Sequence, residues 1–357
     1  MKTYLVTGGA GFIGSNFVHH MLNKYSEIKI INLDKLTYAG NLENLKDVEN
    51  NPNYTFIQGD ICDKELIEKL FSENDIDYVV NFAAESHVDR SIKEPEIFVK
   101  TNVLGTVNLL NVAKNAWEVQ GVFKQGKKFI QVSTDEVYGT LGETGYFIEN
   151  TPLDPHSPYS SSKAGADLMV KAFFDTYKMP VNITRCSNNY GPYQFPEKLI
   201  PLLINNCLNH KCLPIYGNGM NIRDWLYVED HCKAIDIIIN SGTVGEIYNI
   251  GGHNERTNIQ IAKTIINYLS EKVEKEITEK EITEKLITYV EDRKGHDKRY
   301  AIDPTKIKDE LGWYPETPFE VGIKNTIKWN LDNKDWINNI TTGEYENYYN
   351  NMYENSK

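Results

Sequence analysis

Two adjacent carboxylates, Asp135 and Glu136, directly follow the apolar run FIQVS in the segment STDEVYG. A buried parallel strand that ends at this point would place both acids in the crevice where ligands bind, outside the carboxyl ends of the strands. Proximity and burial favour one ionised and one neutral acid, so the pair suits a reaction that needs a base and an acid together. The alternative is that the two acids cap the following turn.

A tyrosine and a lysine four residues apart, Tyr159 and Lys163, lie in the segment PYSSSKAGADLMVKAFF, where a helix would place them on one face. A nearby ammonium lowers the pKa of a phenol, so Tyr159 can serve as a base toward a sugar hydroxyl. The spacing alone has little weight, because Tyr25 and Lys29 repeat it at the end of the first predicted helix. Tyr159 differs in lying about one loop beyond the acid pair.

The glycine-rich segment VTGGAGFIG joins the first predicted strand to a helix-forming segment, and Gly8, Gly11 and Gly14 recur at every third position. These glycines permit a tight turn and close backbone approach, which leaves the helix N-terminus free to hold a pyrophosphate. Asp34 ends the next predicted strand at about the distance seen in dinucleotide sites. A carboxylate there accepts from ribose hydroxyls and repels a 2′-phosphate, so NAD is favoured over NADP, although Lys35 argues mildly the other way.

Two further strand ends can border the same cofactor. Asp60 and Ile61 in GDICD follow the third predicted strand, within reach of an adenine ring in this fold. Ala83 and Ala84 in NFAAES follow the fourth, where small side chains let a cofactor lie close. An ordinary turn aspartate and ordinary core alanines are the alternatives.

Short β-branched runs alternate with longer amphipathic segments, which is typical of a parallel sheet with helices on both faces. The six predicted strands are TYLVTGG, IKIINLD, YTFIQGD, DYVVNFAA, KKFIQVSTD and VNITRCSN. They predict an α/β fold, a doubly wound parallel sheet of the Rossmann type, with a smaller C-terminal substrate-binding lobe. We assign 1–188 and 221–245 to the NAD-binding domain, 189–220 and 246–340 to the lobe, and 341–357 to a polar tail.

The chain of 357 residues carries a formal net charge of −12, which argues against general binding to nucleic acid or to an anionic membrane. The sequence contains no apolar run near the roughly 20 residues of a membrane span, and its opening MKTYLVTGGAGF does not match a signal peptide. We therefore expect a cytoplasmic protein. The five cysteines form no C-x-x-C pair and the eight histidines no metal-spaced cluster, which predicts reduced thiols and no metal.

Several of these segments together resemble a known group of enzymes. TGGAGFIG, TDEVYG and YSSSKA are similar to motifs of the extended short-chain dehydrogenase/reductase superfamily. More narrowly, LDKLTYAGN, AAESHVDRSI, SNNYGPYQFPEKLIP, LPIYGNG, IRDWLYVEDH, YNIGG and GHDKRYAID resemble the dTDP-glucose 4,6-dehydratase family over about residues 1–340. The tandem EITEK at 276–280 and 281–285 departs from the pattern, as does Lys294, where the family usually has proline.

The resemblance implies conversion of dTDP-glucose to dTDP-4-keto-6-deoxyglucose, and it gives the acid pair a role. Tyr159, in the family's Tyr-Lys pair, would take the proton of the sugar C4 hydroxyl while hydride passes to NAD, with Thr134 hydrogen-bonded to that oxygen. Glu136 would then remove the C5 proton, and protonated Asp135 would give its proton to the departing C6 hydroxyl. Hydride would finally return to C6.

The resemblance also implies binding residues and assembly. Cofactor contacts are expected from Gly8, Gly11, Phe12, Ile13, Gly14, Asp34, Lys35, Leu36, Thr37, Asp60, Ile61, Ala83, Ala84, Ser86, Thr101, Tyr159, Lys163 and Asn189. Substrate contacts are expected from Ser86, His87, Thr134, Asn188, Glu197, Lys198, Leu199, Pro214, Ile215, Tyr216, Arg223, Asn258, Arg293, His296 and Tyr300. A homodimer built partly from IFVKTNVLGTVNLLNVAK and SSSKAGADLMVKAFFDTY is implied in the same way.

Other functions stay open at this point. UDP-glucose or another nucleotide sugar could replace dTDP-glucose, because one methyl group on the base is worth only about 1 kcal/mol in an apolar pocket. A 4-epimerase or a plain reductase would not need the Asp135–Glu136 pair. A regulatory module that senses NAD would need neither that pair nor Tyr159 and Lys163.

Overall fold

The structure, a computed structural model, describes residues 1–272, 282–292 and 295–341. Several sequence features lie outside these described residues: the first EITEK copy with the start of the second, Arg293 and Lys294, and the tail from residue 342 onward.

Strands and helices alternate along the first half of the chain. The strands are β1 (Lys2–Thr7), β2 (Ile28–Asp34), β3 (Tyr54–Gln58), β4 (Tyr78–Asn81), β5 (Glu118–Val119), β6 (Val122–Phe123), β7 (Lys128–Thr134), β8 (Val181–Cys186), β9 (Asn188–Tyr190), β10 (Leu213–Tyr216), β11 (Ile222–Tyr227), β12 (Ile247–Ile250), β13 (Glu255–Thr257) and β14 (Ile287–Val290). The helices are α1 (Phe12–Lys24), α2 (Lys64–Glu73), α3 (Val88–Lys93), α4 (Pro95–Phe98), α5 (Thr106–Trp117), α6 (Pro158–Tyr177), α7 (Leu199–Leu208), α8 (Val228–Ser241), α9 (Asn258–Lys272), α10 (Thr305–Leu311), α11 (Phe319–Asp332) and α12 (Lys334–Ile340).

Seven strands form one sheet in the order β12-β8-β7-β4-β1-β2-β3. Every neighbouring pair in it is parallel. The order reverses beside β1, which has β2 on one side and β4 on the other, so a crevice opens at the carboxyl ends of these strands. All six predicted strands are present in this sheet, and the predicted Rossmann-type α/β fold is confirmed.

The central strands are buried because both faces of the sheet are covered. β7 is buried at every position, and so is β8. On one face Phe17 of α1 and Ile235 of α8 belong to the same hydrophobic cluster. On the other face Leu109 of α5 and Val170 of α6 pack together. The helices therefore fix the strand ends from both sides.

The division of the chain between sheet and lobe differs from the predicted ranges in two places. β12 pairs with β8 as the seventh strand of the large sheet, although 246–340 was assigned to the lobe. Its run IYNI is only four residues long, so the sequence gives a weak strand signal. β11 pairs with β9 and β13 outside the large sheet, although 221–245 was assigned to the NAD-binding domain.

The lobe consists of small sheets and helices around their own core. β13, β11 and β9 form a three-stranded sheet, and β10 pairs with β14. Leu203 of α7, Ile265 of α9 and Ile323 of α11 belong to the cluster that fills it. β9 begins two residues after β8 ends, so the chain passes from the large sheet to the lobe across Ser187. The crevice between sheet and lobe is built around this crossing.

Within the described ranges, none of the helices is both long enough and apolar enough to cross a membrane.

A buried histidine, His231 on α8, makes the stability of the fold depend on pH. Burial lowers its pKa from 6.5 to about 3. Between these values the unfolded chain binds a proton that the folded chain does not, so stability is lost as the pH falls through this window. At pH 5 the loss is about 2 kcal/mol. We expect the free energy of unfolding in urea to fall less from pH 7 to 5 in His231→Gln than in the wild type.

The control for this measurement is His253→Gln, because His253 is exposed. It should lose as much stability on acidification as the wild type. An equal loss in His231→Gln and His253→Gln would show that His231 does not carry the effect.

Candidate functional site

The glycine-rich turn after β1 is shaped by close backbone contacts. Gly8 has a φ of +69°, and a Cβ on it would lie 2.6 Å from the backbone nitrogen of Ala83. A Cβ on Gly14 would collide with the carbonyl oxygen of Gly8. Gly11 is the N-cap of α1 and has no side chain to cover the first turn of the helix. The N-terminus of α1 is therefore open toward the crevice, as an anion site requires.

Asp34, at the end of β2, holds the two turns beside it. Its carboxylate accepts from the backbone N–H of Ala10 at 2.9 Å and from that of Leu36 at 2.8 Å. Burial raises the pKa of Asp34, and these two hydrogen bonds oppose the increase. Lys35 forms an ion pair with Asp60 at 2.9 Å. The positive charge of Lys35, which could favour a 2′-phosphate, is thus balanced by the carboxylate of Asp60 at the end of the neighbouring strand.

A cavity of about 310 Å³ runs along the carboxyl ends of the strands between these turns and the acid pair. The predicted cofactor residues that line it are Gly8, Gly11, Phe12, Ile13, Gly14, Asp34, Lys35, Thr37, Asp60, Ile61, Ala83, Ala84, Ser86, Thr101, Tyr159, Lys163 and Asn189. Leu36 differs: its side chain packs against the core of the large sheet, while its backbone N–H binds Asp34. Its φ of +57° lies in the left-handed region.

The acid pair lies in a short 3₁₀ turn, Asp135–Tyr138, at the end of β7. Thr134 is the N-cap of this turn, and its Oγ1 accepts from the backbone N–H of Glu136 at 3.2 Å. The threonine, rather than the two acids, therefore caps the turn. Asp135 is 1% exposed, and its Oδ2 has no hydrogen-bond partner among the described residues.

The electrostatic surroundings divide the two acids. Burial, and then the charge of Glu136, raises the pKa of Asp135 well above its usual range. The buried carboxylate of Asp224 acts in the same direction, while Arg223 opposes it. These surroundings favour the protonated form of Asp135. Glu136 is only half buried and lines the cavity beside it, so it can carry the charge of the pair.

Helix α6 brings Tyr159 and Lys163 to the same cavity. It starts with a capping box, in which Ser157 accepts from Ser160 N–H and the Ser160 side chain accepts from Ser157 N–H. Pro158 at the first helical position, with its fixed φ, favours the same start. The Nζ of Lys163 donates to the carbonyl oxygen of Val132 at 2.8 Å. Both functional side chains are buried.

The predicted lowering of the pKa of Tyr159 by Lys163 is absent from this structure. Burial, and then the charge of Glu136, raises the pKa of Tyr159 well above its usual value, although a hydrogen bond from Thr134 opposes the increase. Burial also lowers the pKa of Lys163. Burial and the charges of the acid pair thus raise the pKa of Tyr159 more than the Lys163 ammonium lowers it, as long as no other positive charge is near the phenol.

A second cavity, of about 170 Å³, continues from the acid pair into the lobe. The predicted substrate residues that line it are Ser86, His87, Asn188, Glu197, Lys198, Leu199, Pro214, Tyr216, Arg223, Asn258, His296 and Tyr300. Thr134 lines the first cavity instead, and Glu136 lines both. The acid pair therefore lies where the two cavities meet.

Among the described residues that were predicted to contact the substrate, Ile215 lines neither cavity. It belongs to the core of the lobe together with Leu213, whereas Pro214 and Tyr216 line the cavity. These four residues form β10, where successive side chains point to opposite faces. The alternation that places Pro214 and Tyr216 in the cavity thus turns Ile215 inward.

Arg223 is a cation held in the wall of the second cavity. Its guanidinium donates to the carbonyl oxygens of Ile222 at 2.8 Å and Asp297 at 3.0 Å. Its centre lies 4.3 Å from the centroid of the Tyr300 ring. The phenol of Tyr300 donates to the Asp297 carboxylate, which also binds His156 at 2.6 Å. The guanidinium is therefore oriented before a ligand arrives.

Sequence reasoning missed Tyr38 and Arg90, which contact the predicted substrate residue Glu197 in the wall of both cavities. Arg90 lies 3.6 Å above the ring of Tyr38 and 3.8 Å from Oε2 of Glu197. Tyr38 donates to the other oxygen of Glu197 at 3.2 Å. Tyr38 and Arg90 stand inside two of the segments that carry the resemblance, but they have no spacing signal, because the three residues come from distant parts of the chain.

The fold and site define a member of the extended short-chain dehydrogenase/reductase class: a glycine-rich turn on a parallel sheet faces a buried tyrosine and lysine across one crevice. A sequence model of the GDP-mannose 4,6 dehydratase family matches residues 5–326. The dTDP-glucose 4,6-dehydratase of Xanthomonas campestris pv. campestris strain B100 is 51% identical over 346 residues, 97% of each chain. The chain belongs to this family and, within it, to the dTDP-glucose 4,6-dehydratases.

Two solved structures are similar over nearly the whole chain. The dTDP-glucose 4,6-dehydratase of Bacillus anthracis in complex with NAD has 51% sequence identity and a TM-score of 0.85, and the match covers 95% of this chain and 100% of that one. The dTDP-glucose 4,6-dehydratase of Streptomyces venezuelae, with NAD and a dTDP ligand bound, has 44% identity and a TM-score of 0.86, with coverage of 95% and 99%.

Proposed function

We propose that this chain is an NAD-dependent enzyme that converts dTDP-glucose to dTDP-4-keto-6-deoxyglucose by oxidation at C4, elimination of water across C5 and C6, and return of hydride to C6. The observation that carries the proposal is the acid pair. Asp135 is buried with one oxygen unpartnered among the described residues, and Glu136 is beside it where the two cavities meet. An oxidation alone would need neither acid.

The first cavity fits NAD. The open N-terminus of α1 suits a pyrophosphate, and Asp34 lies at the strand end where a ribose would be held. A Cβ on Gly8 would clash with the backbone of Ala83, so the close approach of these two segments requires a glycine there. When bound, NAD supplies the hydride acceptor, later the hydride donor, and a positive charge on its nicotinamide ring.

The oxidation step uses the buried phenol. Tyr159, in its phenolate form, accepts the proton of the C4 hydroxyl and becomes the neutral phenol, while Thr134 beside it in the first cavity orients the same oxygen. The ammonium of Lys163 is held in the same cavity by its hydrogen bond to the carbonyl oxygen of Val132. Both side chains of the pair are buried, so bulk water does not compete for the proton.

The elimination step uses the acid pair. A ketone at C4 acidifies the C5 proton, which the Glu136 carboxylate removes. Asp135 holds a proton because burial and Glu136 raise its pKa, and it gives this proton to the departing C6 hydroxyl. One base and one acid on adjacent residues thus act on neighbouring carbons of one sugar. After the elimination the charges of the two acids have exchanged, with Glu136 protonated and Asp135 ionised.

The second cavity fits the nucleotide diphosphate. Arg223 and Lys198 place positive charge in its wall, in a chain whose net charge is −12. A guanidinium whose other donors are already engaged loses little freedom when it binds a phosphate. The ring of Tyr216 is available to stack on a base.

Assembly and location complete the proposal. Exposed apolar side chains, Val99, Leu104 and Leu168, project from the π-helical segment Val99–Gly105 and from α6, the two segments implied in a homodimer. Burial of such a surface in a second copy would favour a dimer. The cytoplasmic location stays a prediction from the sequence.

The experiment that tests the function is incubation of the purified protein with C4-deuterated dTDP-glucose and, in parallel, with the UDP sugar. We expect loss of one water, transfer of the label from C4 to C6 and no net NADH, read by mass spectrometry and NMR. The faster nucleotide identifies the base that the lobe prefers. Protein with bound NAD that leaves both sugars unchanged would contradict the proposal and favour a sensing role.

A further inference from the structure

Helix α12 is connected to the glycine-rich turn by two hydrogen bonds in series. The indole N–H of Trp336 donates to Oδ1 of Asn44 at 2.8 Å. The Nδ2 of Asn44 donates to the carbonyl oxygen of Ala10 at 2.9 Å. Asn44 is 2% exposed and Trp336 9%. Ala10 stands between Gly8 and Gly11, which line the first cavity, so residues distant in sequence meet at the cofactor turn.

Further bonds hold the same turn in place around Asn44. Its carbonyl oxygen accepts from Nε2 of His19 on α1 at 2.7 Å. The carbonyl of Ala10 also accepts from the backbone N–H of Asn41 at 3.0 Å. On the other side, the N–H of Ala10 donates to Asp34. The peptide groups of the turn are thus fixed from both sides, and the amide of Asn44 is oriented by the indole of Trp336.

The ring of Trp336 also lies near a second segment that lines the first cavity. Trp336 lies 4.9 Å from Trp329 of α11 and 6.1 Å from Tyr193, measured between ring centroids. Tyr193 has a φ of +65°, and the two residues after it, Gln194 and Phe195, line the first cavity. One side chain on α12 is therefore near both Asn44, which binds the glycine-rich turn, and Tyr193, which precedes two residues of the cavity wall.

We propose that Trp336 and Asn44 are positioning residues for NAD: they hold the glycine-rich turn in the conformation that binds the cofactor and slow its release. The inference rests on the proposed function, since it concerns the cofactor of the same site. A turn whose N–H groups are already oriented binds a phosphate without a further cost of ordering. Loss of the indole N–H leaves Asn44 free to rotate and weakens its bond to Ala10.

The test uses NAD-loaded protein and two matched variants. Trp336→Phe removes the indole N–H and keeps an aromatic ring. Trp313→Phe removes an indole N–H that also donates to a buried carbonyl, that of Asp230 at 3.2 Å, but in the core of the large sheet. We expect exchange of bound NAD with isotopically labelled NAD to become roughly 5- to 20-fold faster in Trp336→Phe and to stay at the wild-type rate in Trp313→Phe.

The effect should appear in the NAD concentration for half-maximal activity rather than in kcat. Asn44→Ala, which removes both hydrogen bonds, should accelerate exchange at least as much, and it serves if Trp336→Phe does not fold. Equal exchange rates in Trp336→Phe and Trp313→Phe would overturn the inference, as would a fall in kcat with an unchanged exchange rate. A wild type that binds no NAD would instead contradict the proposed function.

Discussion

Glu136→Gln is expected to bind NAD and dTDP-glucose and to oxidise C4, but to lose turnover to product roughly 10²- to 10⁴-fold. The amide keeps the shape of the side chain but cannot accept the C5 proton. Since Glu136 stands where the two cavities meet, the reaction should stop after the first step. Reduced cofactor should then accumulate, visible as NADH absorbance after rapid mixing with substrate, and no water should be lost from the sugar.

The matched control is Glu149→Gln. Glu149 is also a partly buried carboxylate, which accepts from the backbone N–H of Asn249 at 2.9 Å, but it lines neither cavity among the described residues. Its turnover should equal that of the wild type. Near wild-type turnover in Glu136→Gln would remove Glu136 as the base, and loss of bound NAD in that variant would point to a structural role.

The position of the acids explains what the sequence can and cannot predict about this site. Asp135 and Glu136 are predictable because they follow a buried strand, and the carboxyl end of such a strand lies at the crevice. The glycine turn is predictable because glycines at this spacing, between a strand and a helix, are typical of a dinucleotide-binding turn. Both are local features. The contact between Tyr38, Arg90 and Glu197 joins three distant segments and leaves no pattern in any of them.

Two other differences between the sequence predictions and the structure also arise from contacts between segments that are distant in the chain. The short run that forms β12 is recognisable only once β8 is present to pair with it. The pKa of Tyr159 depends on burial and on Glu136 more than on the lysine four residues away, and burial is a property of the packed fold. Position after a predicted strand thus identifies candidate groups, while their ionisation is set by contacts that only the structure contains.

Tyr159→Phe is expected to prevent reduction of the cofactor, with a loss of roughly 10²- to 10⁴-fold in the rate of NADH formation. The phenyl ring preserves the packing against Phe98, at 6.4 Å between centroids, but cannot accept the C4 hydroxyl proton. Because burial and the charge of Glu136 raise the pKa of Tyr159, the fraction of phenolate grows as the pH rises. The wild-type rate of cofactor reduction in single turnovers should therefore rise with pH, and this dependence should vanish in the variant.

Tyr25→Phe is the control that the chain itself offers, because Tyr25 has the same spacing to Lys29 that Tyr159 has to Lys163. Its phenol donates to Asp236 of α8 at 3.0 Å, and Tyr25 is not among the described residues that line either cavity, so its loss should leave cofactor reduction unchanged. Tyr159→Phe and Glu136→Gln then fail at different steps, the first before NADH forms and the second after it. An undiminished rate of NADH formation in Tyr159→Phe would remove the phenol as the base and leave the oxidation to another group in the cavity.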